Sequence, residues 1–193
     1  MYVKICGLRE PAHVTAAVEA GADAIGFVLT TSKRQVTAAE ARALGEAVPP
    51  HVLTVGVFAG EAPEIVRAVA VEAGVRAVQL HGNHPHSDFI ALKGLTLVRA
   101  VAADADLRCG AFDEELLIVD APKPGSGEPW NWGAIRGRPS GKWMLAGGLD
   151  SRNVSRAISE ARPWGVDVSS GVEREGRKDP DLIREFVTEA RRR

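Results

Sequence analysis

Two residues of this chain are candidates to move protons. Cys6 closes the apolar run YVKIC and Asp120 closes LLIVD, each as the last residue of a strand-like segment. A thiol and a carboxyl flanking one bound molecule suit general acid–base work at two of its atoms. An unperturbed thiol titrates near ~8.5 and is only a few per cent ionised at neutral pH. Lys4, on the same strand face, would raise that fraction. A buried structural cysteine is the competing reading for Cys6, because free cysteine is among the most buried residue types. For Asp120 that alternative is weaker, since an inward acid ending LLIV needs a partner or a purpose.

Two glycine-bearing turns, LAGGLDSRNV and VSSGVEREG, suit an anion. Gly147, Gly148, Ser170 and Gly171 would let backbone N–H groups approach a phosphate closely, although turns use glycine for their own geometry too. TSKRQVT supplies Lys33 and Arg34, and a guanidinium can take a carboxylate with two parallel hydrogen bonds. His81 in VQLHG and Asp167 in VDVSS are further ligand-binding candidates. His84 and His86 in NHPH read as solvent-facing loop residues; with no third ligand evident nearby, no metal is expected.

These residues need elements to carry them. Strand-like runs recur at 2–6, 24–29, 53–58, 77–81, 96–101, 116–120, 143–148 and 166–170, with helical spacing in most of the intervening segments. The segment before the sixth run, ADADLRCGAFDEE, has the weakest helical pattern. Eight strands alternating with helices predict an α/β fold, either a (β/α)8 TIM barrel or an open doubly wound sheet. The count and the polar residues at strand C-termini favour the barrel. The first strand–helix junction, CGLREP, lacks a dinucleotide-binding glycine fingerprint. Alternation within strands sends Val3, Ile5, Val119 and Val166 toward the helices and Lys4, Cys6, Gln79, His81, Asp120, Asp167 and Ser169 inward. No linker is evident, so residues 1–193 read as one compact barrel domain.

With 24 basic and 25 acidic residues, the chain lacks the basic excess of a nucleic-acid binder. The terminal RRR fits the end of a helix, where cations complement the dipole. No run is long and apolar enough to span a bilayer, and the start shows no signal-peptide pattern. Two cysteines make neither a disulfide framework nor a CxxC pair. A cytoplasmic protein is expected, with no membrane or nucleic-acid partner and a phosphorylated small molecule as ligand. No long apolar surface stripe is evident, so a monomer is preferred over a homodimer.

KICG, GFVLTTSKRQV, VGVF, VQLHG, LIVD, LAGGLDSRNV and VDVSSGVEREGRKD, in that order and over nearly the whole chain, resemble the phosphoribosylanthranilate isomerases. The resemblance implies a TIM barrel of tryptophan biosynthesis that performs an Amadori rearrangement without metal or cofactor. It puts Asp120 at the position of the general acid and Cys6 at that of the general base. It matches Arg34 to the arginine associated with the anthranilate carboxylate, and the turns at Gly147–Gly148 and Ser170–Gly171 to the phosphate grip. One segment departs from the pattern. DAPKPGSGEPWNW is shorter than the usual loop, with Trp130 and Asn131 in the places of Phe and Asp, which implies a smaller lid. A histidine-pathway or bifunctional aminoaldose isomerase, a lyase forming a Schiff base on Lys4, and a non-catalytic sugar-phosphate binder are the alternatives.

Overall fold

A computed structural model describes residues 1–122, 130–135, 139 and 141–192. Eight parallel strands, in sequence order around the ring, close into a barrel. They are β1 (Tyr2–Cys6), β2 (Ala24–Val28), β3 (Leu53–Phe58), β4 (Ala77–His81), β5 (Thr96–Ala102), β6 (Leu116–Asp120), β7 (Trp143–Leu145) and β8 (Gly165–Val168). The (β/α)8 expectation is therefore met. Around the ring lie α1 (Pro11–Glu19), α2 (Ala38–Gly45), α3 (Pro63–Ala73), α4 (His86–Ala91), α5 (Val154–Ala161) and α6 (Pro180–Arg191). Among the described residues no helix is long and apolar enough to cross a membrane.

The helix boundaries follow local chemistry. Pro starts α1, α3 and α6, where its missing N–H costs nothing. Thr37 and Glu40 form a reciprocal capping box on α2, and α3 stops at Gly74 in the left-handed region. Asp23 joins both ends of the chain: it accepts from the Val3 N–H at 2.8 Å and from Arg191 of α6 at 2.9 Å.

The alternation expected from sequence is present. Val3, Ile5, Leu117, Val119, Val166 and Val168 belong to the large core between barrel and helices. Val98, Ala100, Leu116, Ile118, Met144 and Ala146 pack as a separate cluster within the ring, and Cys6, Val28 and Val57 form another at the C-terminal ends of their strands.

Strands two, seven and eight end earlier than the sequence suggests. β7 stops at Leu145 because Gly147 and Gly148 have φ of +84° and +64°, outside any extended conformation. No helix forms between β5 and β6. Arg99, buried on β5, gathers that loop instead, donating to Glu114 (2.9 Å), the Asp106 carbonyl (3.0 Å) and the Arg108 carbonyl (2.7 Å). After β8 the chain makes a single 3-10 turn (Ser170–Val172) and a small hairpin of β9 (Glu173–Arg174) and β10 (Arg177–Lys178). Its two-residue turn has Glu175 and Gly176 both at positive φ, the geometry that suits a tight hairpin.

His84 corrects the reading of NHPH as solvent-facing. It is buried; its Nδ1 pairs with Asp88 at 2.9 Å and its Nε2 accepts from the Gly60 N–H at 3.3 Å. It ties the loop after β3 to α4, while His86 is exposed as expected.

Candidate active site

The C-terminal ends of the strands surround a cavity of about 320 Å³. Cys6, Arg34, His81, Asp120, Gly147, Gly148, Asp167 and Ser170 all line it. Gly171 and Lys33 do not, and Lys4 lies below the cavity. Gly171 borders an adjoining depression shared with Gly148 and Ser170.

At the end of β1 the sulfur of Cys6 lies inside the ring against Val28 and Val57. Gly26 faces it from β2, and a Cβ there would come within 2.9 Å of the sulfur. One residue below Cys6 on the same face, Lys4 donates to Asp167 at 2.9 Å, the two being register partners in β1 and β8. Burial alone would lower the Lys4 pKa, but the charges of Asp167 and Cys6 hold it above the ordinary lysine value. Lys4 therefore remains a paired ammonium, which removes support from a Schiff-base role. Breaking such a buried pair from one side costs about 3–5 kcal/mol. Lys4 favours the Cys6 thiolate as expected, but burial outweighs it. Burial pushes the thiol up, and the attraction of Lys4 is too small to bring it back.

Asp120 sits three strands away from Cys6 by the short way around the ring. One of its oxygens accepts from the Ala121 N–H at 2.7 Å, and the other lies 3.4 Å from His81 Nε2. Gly147 packs directly behind it: a Cβ there would meet Asp120 Oδ1 at 2.7 Å and the Ala121 nitrogen at 2.6 Å. That glycine is required for the approach of β7 to the acid as much as for its own positive φ.

Beyond Gly147 the turn is stitched by its own side chains. Asn153 donates to the Gly148 carbonyl at 2.8 Å and accepts from the Asp150 N–H at 2.9 Å. The N–H groups of Gly147, Gly148, Ser170 and Gly171 find no acceptor among the described residues. The loops after β7 and β8 touch without clearance, since a Cβ on Gly171 would fall 1.7 Å from the Leu149 carbonyl oxygen.

Arg34 reaches the cavity but its guanidinium already has a carboxylate. Glu173 takes Nε at 2.6 Å and Nη2 at 2.9 Å. Its aliphatic stem lies across Gly7 (φ +79°), where a Cβ would come within 2.7 Å of Arg34 Cδ. The glycine that follows Cys6 is thus room for the arginine.

Sequence reasoning missed two participants. Glu173 and Lys178 are distant from the strand-end pattern and meet across the β9–β10 hairpin; the Glu-Gly turn between them was the available signal. Gln79, expected inward, is buried in the cavity wall with its amide oxygen unpartnered among the described residues. Among those residues no group of three His, Cys, Asp or Glu side chains could hold a metal. Trp130 donates its indole N–H to the Ala146 carbonyl at 3.1 Å, fastening the end of the sixth loop to the residue that follows β7. The remainder of the expected small lid, residues 123–129, lies outside the described residues.

Residues 3–189 match the family model described as N-(5'phosphoribosyl)anthranilate (PRA) isomerase. The chain belongs to that family. It is an aldose–ketose isomerase of tryptophan biosynthesis, as the sequence resemblance implied. The N-(5'-phosphoribosyl)anthranilate isomerase of Bacillus mycoides is 38% identical over 201 aligned positions, covering 99% of this chain and 98% of the relative. The crystal structure of TrpF from Jonesia denitrificans superposes with a TM-score of 0.90 at 44% identity, covering 99% of this chain and 97% of the other. A phosphoribosyl anthranilate isomerase crystallised with reduced 1-(o-carboxyphenylamino)-1-deoxyribulose 5-phosphate is 36% identical with a TM-score of 0.85, covering 98% of both chains. Members of the PRA isomerase family thus share this barrel over nearly its whole length, and one of them holds that reduced deoxyribulose 5-phosphate.

Proposed function

We propose that this chain converts N-(5-phosphoribosyl)anthranilate to 1-(2-carboxyphenylamino)-1-deoxyribulose 5-phosphate, with Asp120 as general acid and Cys6 as general base. Asp120 gives a proton to the furanose ring oxygen. The ring C–O bond at C1′ breaks as the anilino nitrogen lone pair forms an iminium. Cys6, acting in its ionised form, which burial makes the minor one and Lys4 favours, then removes the C2′ proton, and the C–H electrons form the C1′=C2′ bond of an enolamine. Protonation at C1′ and loss of the C2′ hydroxyl proton give the ketone and restore both groups to their starting states. The substrate nitrogen is the electron sink, so no metal or cofactor is demanded.

The observation that carries this reading is that Cys6 and Asp120 line one cavity from different walls. The His81 ring beside Asp120 and the Lys4 ammonium below Cys6 support it, as general acid–base groups need orienting neighbours. Arg34 receives the anthranilate carboxylate, and the unclaimed N–H groups of Gly147, Gly148, Ser170 and Gly171 receive the phosphate. Gln79 and Asp167 face the sugar between them. The unpartnered amide oxygen of Gln79 suits a hydroxyl donor. We further propose that the enzyme works as a monomer in the cytoplasm.

The test is turnover with phosphoribosylanthranilate generated in situ. Cys6→Ala and Asp120→Asn are each expected to lower kcat by about 10²–10⁴ while leaving affinity for the reduced product analogue nearly unchanged. A Cys6→Ala enzyme of normal speed would remove the thiol from the mechanism.

A further inference from the structure

The mechanism above does not use Glu173, yet its carboxylate occupies the guanidinium that is to receive the substrate. A guanidinium offers five N–H donors on two usable edges. Glu173 takes the side edge through Nε and Nη2. Nη1 makes no hydrogen bond among the described residues, and Nη2 retains its second proton. The end edge is therefore free, and the substrate carboxylate need not displace Glu173 to bind there.

Glu173 is itself held. Lys178 Nζ donates to it at 2.7 Å and to the Ser169 carbonyl and hydroxyl at 2.8 and 3.2 Å, which uses all three ammonium protons. Ser169 in turn donates to the Cys6 carbonyl at 3.2 Å. Lys178 and Glu173 face each other as register partners across the two-stranded hairpin, and both side chains are largely buried. Burial would raise the Glu173 pKa, but the hydrogen bonds from Arg34 and Lys178 hold it at about 2, so it is a carboxylate throughout the working range. Arg34 is thus gripped at two points, its stem against Gly7 and one edge of its fork by Glu173. An arginine has four flexible side-chain torsions, and each rotor frozen before binding is one the ligand does not have to order.

We infer that Glu173 is the positioning residue for the aromatic acid: anchored by Lys178, it clamps one edge of Arg34 so that the other edge meets the substrate carboxylate. The inference rests on the proposed pairing of Arg34 with that carboxylate. It assigns the β9–β10 hairpin, an addition to the barrel after its last strand, to recognition of the acid end of the substrate.

Neutralising Glu173 would also remove a repulsion with the incoming carboxylate, so alignment is separated from charge by Glu173→Asp, which keeps the charge and shortens the reach by one methylene. Two stable probes are compared by calorimetry: the reduced product analogue and the same molecule without its aromatic carboxylate. In the unmodified enzyme the carboxylate-bearing probe binds more tightly. Glu173→Asp is expected to weaken that probe about tenfold and the other less than twofold. Lys178→Met, which leaves Glu173 unanchored, gives the same selective loss to a smaller extent. Equal losses for both probes in Glu173→Asp would mean that the residue serves the phosphate loop or the fold, and would overturn the inference alone. No loss for either probe would overturn it likewise. An unmodified enzyme that binds the two probes equally would refute the Arg34–carboxylate pairing itself, and this inference with it.

Discussion

Gly171 gives the sharpest structural test of the phosphate proposal, because it does not line the main cavity and touches no catalytic group. A Cβ at that position would lie 1.7 Å from the Leu149 carbonyl oxygen, 2.8 Å from its carbon and 3.1 Å from Asp150 Cα. The nearest obstacle is backbone, so no side chain can rotate out of the way. For Gly171→Ala the contact has to open from 1.7 Å to at least 3.0 Å, a retreat of roughly 1.3 Å between the loops after β7 and β8. Overpacking of this kind costs about 1–3 kcal/mol, and each kcal/mol lowers Tm by about 2–4 °C for a chain of this size. The functional effect is of similar size but falls selectively on the phosphate. Gly148 sits on one loop and Ser170 on the other, and a misplacement of ~1 Å can cost about a hundredfold where groups must converge. The assay compares affinity for the reduced product analogue with and without its phosphate, alongside calorimetric Tm. Gly171→Ala is expected to lose at least about tenfold in affinity for the phosphorylated form and little for the other, with a Tm lower by a few degrees. If the variant keeps the unmodified ratio of the two affinities, the two loops do not jointly hold the phosphate.

Two further outcomes follow from the charges around the site. Burial raises the Cys6 pKa above that of an ordinary thiol, with Lys4 opposing, so alkylation of Cys6 by iodoacetamide, followed by peptide mapping to separate it from Cys109, accelerates with pH through a higher midpoint than a free thiol shows. Lys4→Met moves that midpoint higher still, and a midpoint below that of a free thiol would contradict the burial-dominated balance. Glu173 is lowered from 4.5 to about 2 in the folded state; stabilisation from a depressed carboxylate is present above the unfolded value and lost as pH falls toward the folded one. The Tm advantage of the unmodified chain over Glu173→Gln is therefore expected at pH 6 and should shrink by pH 3. A gap that does not change over that range would show that the ionised form is not what Arg34 and Lys178 stabilise.

Much of the molecule is legible in one dimension because its order depends on short-range periodicity. Strand runs and helix caps are local, and a parallel barrel in sequential order needs only that each strand pair with its sequence neighbours, with β8 returning to β1. Alternation then dictates which side chains enter the ring. That is why Cys6, Asp120, His81 and Asp167 could be named before any coordinates and why they share one cavity. The pattern failed where local signals were weak or misleading. The loop before β6 has no helix because a buried Arg99 collects its carbonyls, and His84 is a buried joint because Asp88 and the loop after β3 come to it.

The strand pattern pointed to the fold, the motifs it carries to the family, and strand-end placement singled out Cys6 and Asp120 as the pair proposed to exchange protons. Only the tertiary structure decided how those groups are tuned and held. Net ionisation depends on burial and on charges from other strands, so Lys4 is committed to Asp167 and the Cys6 thiol is raised rather than lowered. The hold on Arg34 likewise depends on Glu173, 139 positions away in the chain, because contacts between distant segments are set by how the ring closes and leave no periodic trace in sequence.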